Sequence, residues 1–285
     1  MVEWGSVVNR ACSLIRAYNS QSIRPTLRQV HYRLASEQVG GYQNTKACYK
    51  TLSDRLVKAR MGGLIPWDSL ADHVRYRWWF KPSGQTVNVD ELVERATEGL
   101  GEDPWEAMGK RIIVWLEKDA LAELIYDAVG GFYIPLAVSR GYSSWTFIYD
   151  NLDIFHSDCE AKVLYLGDHD PSGIDIERFT GEAVEYFGID FTLKRIALTY
   201  GQVLSYNLLP NPTKKADPRA EEYIARYGDQ CWELDALEPT ELQKIVKEAV
   251  EAEIAPQVWR EVIERNKETQ RNAREELKKK LDSCP

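Results

Sequence analysis

Two apolar runs in this chain end in carboxylates. Ile112-Ile113-Val114-Trp115-Leu116 leads into Glu117-Lys118-Asp119, and Lys162-Val163-Leu164-Tyr165-Leu166 leads into Gly167-Asp168-His169-Asp170-Pro171-Ser172-Gly173. Both runs have the length and composition of buried strands. In an open parallel sheet, ligands collect at the carboxyl ends of the strands, so Glu117, Asp168 and Asp170 are expected to converge there. Carboxylates gathered at one point repel one another unless a hard cation neutralises them. An all-oxygen set, completed by water and substrate phosphate, suits Mg2+. The alternative is that such acids are solvated caps of the following helices, the role expected of Asp119 and Asp175.

A second constellation lies near the N-terminus. Thr26 is a good N-cap and Gln29 its capping-box partner, so a helix is expected from there to about Gln38. At roughly 100° per residue, Leu27, Val30 and Leu34 share one side of it, while Arg28, His31 and Tyr32 fall on the other. A phenol beside a guanidinium can attack a phosphodiester. The arginine fork holds the phosphate, and the phenol, which titrates near ~10 when unperturbed, is helped by that cation or by a base such as His31. A plain surface tyrosine is the competing reading.

A third helix, from about Thr45 to Met61, carries Lys46, Lys50 and Arg60 away from its apolar face. These residues fit phosphate contacts from a recognition helix, or simply a solvated basic face. Lys118 is taken as a further DNA contact. Arg75 and Arg77 beside Trp78 and Trp79 could brace DNA or pack the domain. Lys214-Lys215-Ala216-Asp217 belongs to a Pro-containing loop. Glu233 and Asp235 bracket an expected short strand; either could join the metal site, although structural roles are favoured.

These residues sit on an orderly succession of elements. Residues 6–18 form an apolar-striped helix, and the three N-terminal helices are followed by short extended segments at Leu64–Trp67 and Arg77–Phe80. That outline fits a winged helix-turn-helix over residues 1–81. Residues 82–109 hold 7 acidic residues to one basic and read as a linker with one helix, Asp90 to about Glu98. From 110 to 238 strands alternate with helices: strands at 112–116, 132–138, 162–166 and 193–198, helices at 120–129, 145–153 and 174–186. Such alternation implies an α/β domain with a mostly parallel sheet. Residues 239–285 form a charged helical tail, interrupted near Pro256.

Of 285 residues, 44% are hydrophobic and 28% charged, which excludes a disordered chain. The net charge of −8 is unevenly spread: residues 1–81 hold 13 basic and 5 acidic side chains, the other 204 hold 23 and 39. A basic front and an acidic back fit one module that meets a polyanion and another with a different task. The five cysteines form no C-x-x-C, which speaks against a thiolate zinc site and fits a reducing cytoplasm. There is no run of ~18 apolar residues for a membrane span and no export signal at the N-terminus. P-loop, H-E-x-x-H and G-x-S-x-G motifs are missing, so ATPase, zincin and hydrolase-elbow chemistry is not expected.

The motifs are similar to those of a known family. A strand ending in Glu, and a later one ending in Asp-x-Asp followed by Gly, resemble a Toprim domain. Val114-Trp115-Leu116-Glu117-Lys118-Asp119-Ala120 and Asp168-His169-Asp170-Pro171-Ser172-Gly173 resemble motifs of the type IIB topoisomerase (topoisomerase VI) A subunit, the second also found in the related meiotic double-strand-break protein. Ser139-Arg140-Gly141-Tyr142-Ser143 is like the turn after that family's second strand. Arg28-Gln29-Val30-His31-Tyr32 is similar to its Arg-x-x-Tyr-Tyr signature, with His31 in place of the first tyrosine. The resemblance spans Arg28 to Gly173 and thins over the C-terminal hundred residues.

It implies a winged-helix domain followed by a Toprim domain, with Mg2+ held by Glu117, Asp168 and Asp170. Tyr32 would then be the nucleophile that cleaves double-stranded DNA, with Arg28 orienting the phosphate. A homodimer would pair the tyrosine of one subunit with the metal site of the other, and a separate ATPase subunit would be needed for strand passage. A Toprim nuclease using metal-activated water, and a non-catalytic DNA-binding module, are the alternatives.

Overall fold

The computed structural model describes residues 2–71, 89–143, 145–155 and 159–282. The expected extended segment at Arg77–Phe80, with Arg75, Arg77, Trp78 and Trp79, lies outside them. Helix α1 (Trp4–Asn19) buries Val7, Ala11, Leu14 and Ile15 along one stripe. Helix α2 (Leu27–Ser36) starts at the expected capping box: the Gln29 amide donates to Thr26 Oγ1 at 3.2 Å, and the Thr26 amide donates to Gln29 Oε1 at 2.8 Å. Helix α3 (Lys46–Met61) is capped by Thr45 and stops at Gly62-Gly63, where Gly63 adopts a φ of +71°. Val30 and Leu34 of α2 meet Ile15, Leu52 and Leu56 in the core of this three-helix unit. Leu64–Trp67 forms no strand as expected: Gly62-Gly63 turns the chain, Leu64 and Ile65 bend, and Pro66, itself extended, leads into a 3-10 turn at Trp67–Ser69.

The rest of the chain is a mixed α/β structure around a four-stranded, all-parallel sheet. Its strands are β1 (Lys110–Leu116), β2 (Leu136–Val138), β3 (Glu160–Leu166) and β4 (Phe191–Ala197), in the order β2-β1-β3-β4. Alternation divides the central strands between two faces. Ile112, Val114 and Leu116 of β1, with Leu164 and Leu166 of β3, pack under helices α6 (Ala122–Val129) and α11 (Pro239–Glu251). Ile113, Trp115, Val163 and Tyr165 pack under α7 (Trp145–Asp150) and α8 (Pro171–Tyr186). Each such buried aliphatic side chain contributes about 1.5–3 kcal/mol, which makes the sheet the rigid element of the molecule. The core of the N-terminal helices is continuous with the α6/α11 face.

The described part of the acidic connector, residues 89–109, packs against the C-terminal helix. Its helices α4 (Val89–Thr97) and α5 (Pro104–Ala107) lie along the 27-residue helix α12 (Pro256–Asp282), with Trp105 edge-on to Trp259 at 5.3 Å. After β4, short elements follow in turn: α9 (Tyr200–Ser205), β5 (Asn211–Pro212), α10 (Ala220–Tyr227) and β6 (Gln230–Cys231). β5 and β6 pair antiparallel. Among the described residues no helix is long and apolar enough to cross a membrane.

Candidate active site

Sheet order sets the geometry. The connection from β1 runs outward to β2, and the chain then returns to the other side of β1 as β3, so the crevice at the carboxyl ends lies between β1 and β3. The register pairs Leu116 with Leu166, which brings Glu117 beside Asp168. The Asp168 amide donates to Glu117 Oε2 at 3.2 Å. A Cβ on Gly167 would overlap the Glu117 carboxylate, so the close approach requires glycine there.

Asp168 does not meet Asp170 at this point. It meets two acids from far along the chain, gathered by Lys118. The ammonium of Lys118 contacts Asp168 Oδ1 at 2.9 Å, Glu233 Oε2 at 3.0 Å and Asp235 Oδ2 at 2.6 Å. Asp168 Oδ1 also accepts from the Leu234 amide at 2.8 Å. Asp170 serves instead as the N-cap of α8, its Oδ1 accepting from the Gly173 amide at 2.6 Å. A Cβ on Gly173 would overlap the Asp168 carbonyl, which explains the glycine six residues into the motif. Of the two expected solvated acids, Asp119 pairs with Arg140 and Asp175 with Arg178 and Arg219.

The electrostatics follow from burial. Desolvation, then the facing Asp168 carboxylate, raise the pKa of Glu117. Desolvation likewise raises Asp168, against the pull of Lys118. Desolvation would lower Lys118, but the surrounding carboxylates outweigh it and hold the ammonium well above the ordinary lysine range. Glu233 is lowered despite desolvation, because Lys118 and Arg28 both favour its charged form. The donors are all oxygen, as a hard cation requires. Among the described residues, however, no three ligating side chains stand ready for a metal. The point where Asp168, Glu233 and Asp235 converge holds the Lys118 ammonium.

Helix α2 lies against the 3-10 turn Leu234–Ala236 and presents Arg28 and Tyr32 to this end of the sheet. Arg28 donates to Glu233 Oε2, the same oxygen that accepts from Lys118. Tyr32 points away from the apolar stripe of α2, as expected, but into the α/β unit rather than into solvent. It is only 5% exposed, and its hydroxyl accepts from Asn211 Nδ2 at 2.7 Å. Desolvation and the nearby Glu233 hold its phenol well above the ordinary tyrosine range. His31, the expected base, contacts Tyr42 Oη through Nδ1 at 2.7 Å and Asn44 Oδ1 through Nε2 at 3.0 Å. Burial lowers its pKa and keeps the ring neutral.

Two grooves flank Arg28. One, of about 700 Å3, is lined by Arg28, Arg60, Lys118, Arg140, Glu117 and Asp235. The other, of about 620 Å3, is lined by Arg28, Tyr32, Lys46, Lys214, Asp170 and Glu233. Lys46 and Arg60 of the expected DNA contacts thus border the grooves, and Lys50 is exposed on α3. Lys118, also among the expected DNA contacts, lines the larger groove and is held there by three carboxylates, Asp168, Glu233 and Asp235. Glu233 and Asp235 do not bracket a strand; β6 precedes them and a 3-10 turn joins them.

Sequence reasoning passed over Arg195. From β4 it donates to the carbonyls of Gly167, Asp168, Leu198 and Gly173 at 3.0–3.2 Å and pairs with Glu177 at 2.6 Å. It therefore pins both ends of the loop that carries the acids. The signal was present: a guanidinium on the same strand face as Leu193 must find partners when buried. His169, between the two aspartates, sits among Tyr200, Tyr223, Tyr227 and Trp232, its Nδ1 2.7 Å from the Tyr223 hydroxyl.

No protein-family model matches this chain, and no match emerges from a comparison with curated proteins.

Proposed function

We propose that this chain cleaves DNA strands where α2 faces the carboxyl end of the sheet, with Tyr32 as nucleophile. In this reading the three N-terminal helices act as a winged-helix unit and the sheet as a Toprim domain of the type IIB topoisomerase A-subunit kind. The observation that carries it is the lining of one groove by Arg28, Tyr32 and Lys46 together with Asp170 and Glu233. A guanidinium, a phenol and carboxylates meet there from separate parts of the chain. Arg28 orients the phosphate with its fork, and the Tyr32 oxygen bonds to phosphorus while an ester oxygen leaves as a hydroxyl. The phosphotyrosyl link retains the bond energy, so the reverse step rejoins the strand. Mg2+ is the cation this donor set suits, and it would stabilise charge on the phosphate.

Tyr32 must leave Asn211 to reach a phosphate. Three polar contacts tie α2 to the α/β unit: Arg28–Glu233, Arg33–Glu238 at 2.7 Å and Tyr32–Asn211. Polar contacts of this kind exchange more readily for solvent or ligand than the apolar core does. A homodimer acting on both strands of a duplex, and a separate ATPase for strand passage, complete the proposal.

The buried, hydrogen-bonded Tyr32 hydroxyl favours one second reading, hydrolysis by metal-activated water with Tyr32 left in place. Supercoiled plasmid incubated with the protein and Mg2+, stopped with denaturant and divided between protease and buffer, separates the two. Breaks covalently linked to protein, and lost in Tyr32→Phe, support the first. Protein-free breaks that survive Tyr32→Phe support the second, and the lack of any break in either sample refutes both.

A further inference from the structure

Two cations from separate units converge on one oxygen: Arg28 of α2 and Lys118 after β1 both donate to Glu233 Oε2. Both cations also line the open 700 Å3 groove. Two donors aimed at a single oxyanion form the kind of site that binds a phosphate oxygen. We propose that the Glu233 carboxylate occupies, from within the chain, the seat of a phosphodiester, and that a nucleic-acid phosphate binds between Arg28 and Lys118 by displacing it.

The exchange conserves charge. Glu233 carries one negative charge, as does a phosphodiester, so Lys118 keeps Asp168 and Asp235 and both cations remain neutralised. Glu233 is suited to leave: its side chain is about a quarter exposed, whereas that of Asp235 is 2% exposed and fixed. The exchange also frees α2 from one of its ties to the sheet end, since Arg28 would then hold the ligand instead of the turn that carries Glu233. Phosphate binding and release of the Tyr32 helix are thereby linked, and linkage is reciprocal. This inference rests on the cleavage reading only for the identity of the ligand.

The test is binding without chemistry. Fluorescently labelled duplex DNA is titrated with protein in EDTA at low salt, and anisotropy gives the Kd for wild type, Glu233→Gln, Glu238→Gln and Arg28→Gln/Glu233→Gln. Glu238 is the control: it pairs with Arg33 at the same interface and carries the same charge, but contacts neither Arg28 nor Lys118 in any described interaction. Glu233→Gln is expected to tighten binding about tenfold, within the usual range of coupling between sites. Glu238→Gln should change it less than about twofold, and the double variant should lose the gain. Thermal melts establish that each variant is folded, and Glu233→Ala is the substitute if Glu233→Gln is not.

Equal tightening by both single variants would show a general loss of negative charge and overturn the proposal. So would unchanged affinity in Glu233→Gln, or no DNA binding by any variant. The cleavage assay separates this outcome from the fate of the proposed function. Tightening without strand breakage upholds the phosphate seat and refutes cleavage; breakage without tightening does the reverse.

Discussion

Removing the ammonium of Lys118 tests whether the acids are held together by it. In Lys118→Met the aliphatic stem is kept, while Asp168, Glu233 and Asp235 lose a common partner that stood 2.6–3.0 Å away. Arg28 still neutralises Glu233, so two carboxylates, Asp168 and Asp235, face each other uncompensated. Both are largely buried, with side-chain exposures of 12% and 2%. Taking one partner from a buried ionic cluster costs about 3–5 kcal/mol. Urea unfolding at pH 7.5 should therefore show a loss of that size relative to wild type. The loss should shrink toward pH 5, because carboxylates without a cation take up protons at higher pH and the repulsion is relieved. A divalent cation offers a second check: if the carboxylates can hold one, about 2.7 kcal/mol returns at a hundredfold excess over its Kd. A loss under about 1 kcal/mol at pH 7.5, or one that is the same at pH 5, would refute the argument that Lys118 holds the cluster.

Two further predictions concern the frame of the site. Arg195→Met removes the donor to four carbonyls and leaves Glu177 without its partner in β4, so urea unfolding should show a loss of about 2–4 kcal/mol. Arg195→Lys should recover only part of it, since one ammonium cannot reach every carbonyl. His31 is held neutral by burial, so its folded pKa lies below its unfolded value near ~6.5. The unfolded chain then binds the extra proton first as pH falls, and His31 costs stability from about pH 6.5 down through its folded pKa. The stability difference between wild type and His31→Gln, measured by urea unfolding at pH 7.5, 6 and 5, should move against wild type as pH drops; a constant difference would refute it.

Much of the frame was legible because local rules decide it. The Thr26/Gln29 box, the Gly62-Gly63 stop, the apolar runs of β1 and β3 and the break before Pro256 all act within a few residues. Leu116 and Leu166 were rightly placed at the carboxyl edge of one parallel sheet, because strand–helix alternation requires it; that their strands are neighbours is seen only in the sheet order. What escaped was decided across distance. A helical wheel gives the direction of Tyr32 relative to its own helix core, but not that Asn211 waits on that side. Nothing near Lys118 announces Glu233 and Asp235, which arrive on a turn more than a hundred residues later. Asp170 was drawn to the metal set by its spacing, while the backbone amide of Gly173 claims it as a cap. The strands β5 and β6 are two residues each, below the length at which alternation has meaning.

The hydrogen bond between Tyr32 and Asn211 joins residues 179 positions apart. At ribosomal rates of about 5–20 residues per second, on the order of 10–40 s separates the emergence of the first from that of the second. Throughout that interval the newborn helical unit shows water Tyr32, Arg28, Arg33 and Asn44, whose partners Asn211, Glu233 and Glu238 have yet to be made. On that side α2 offers water charged and polar groups, so these ties can wait, solvated, for the second half of the chain to close them.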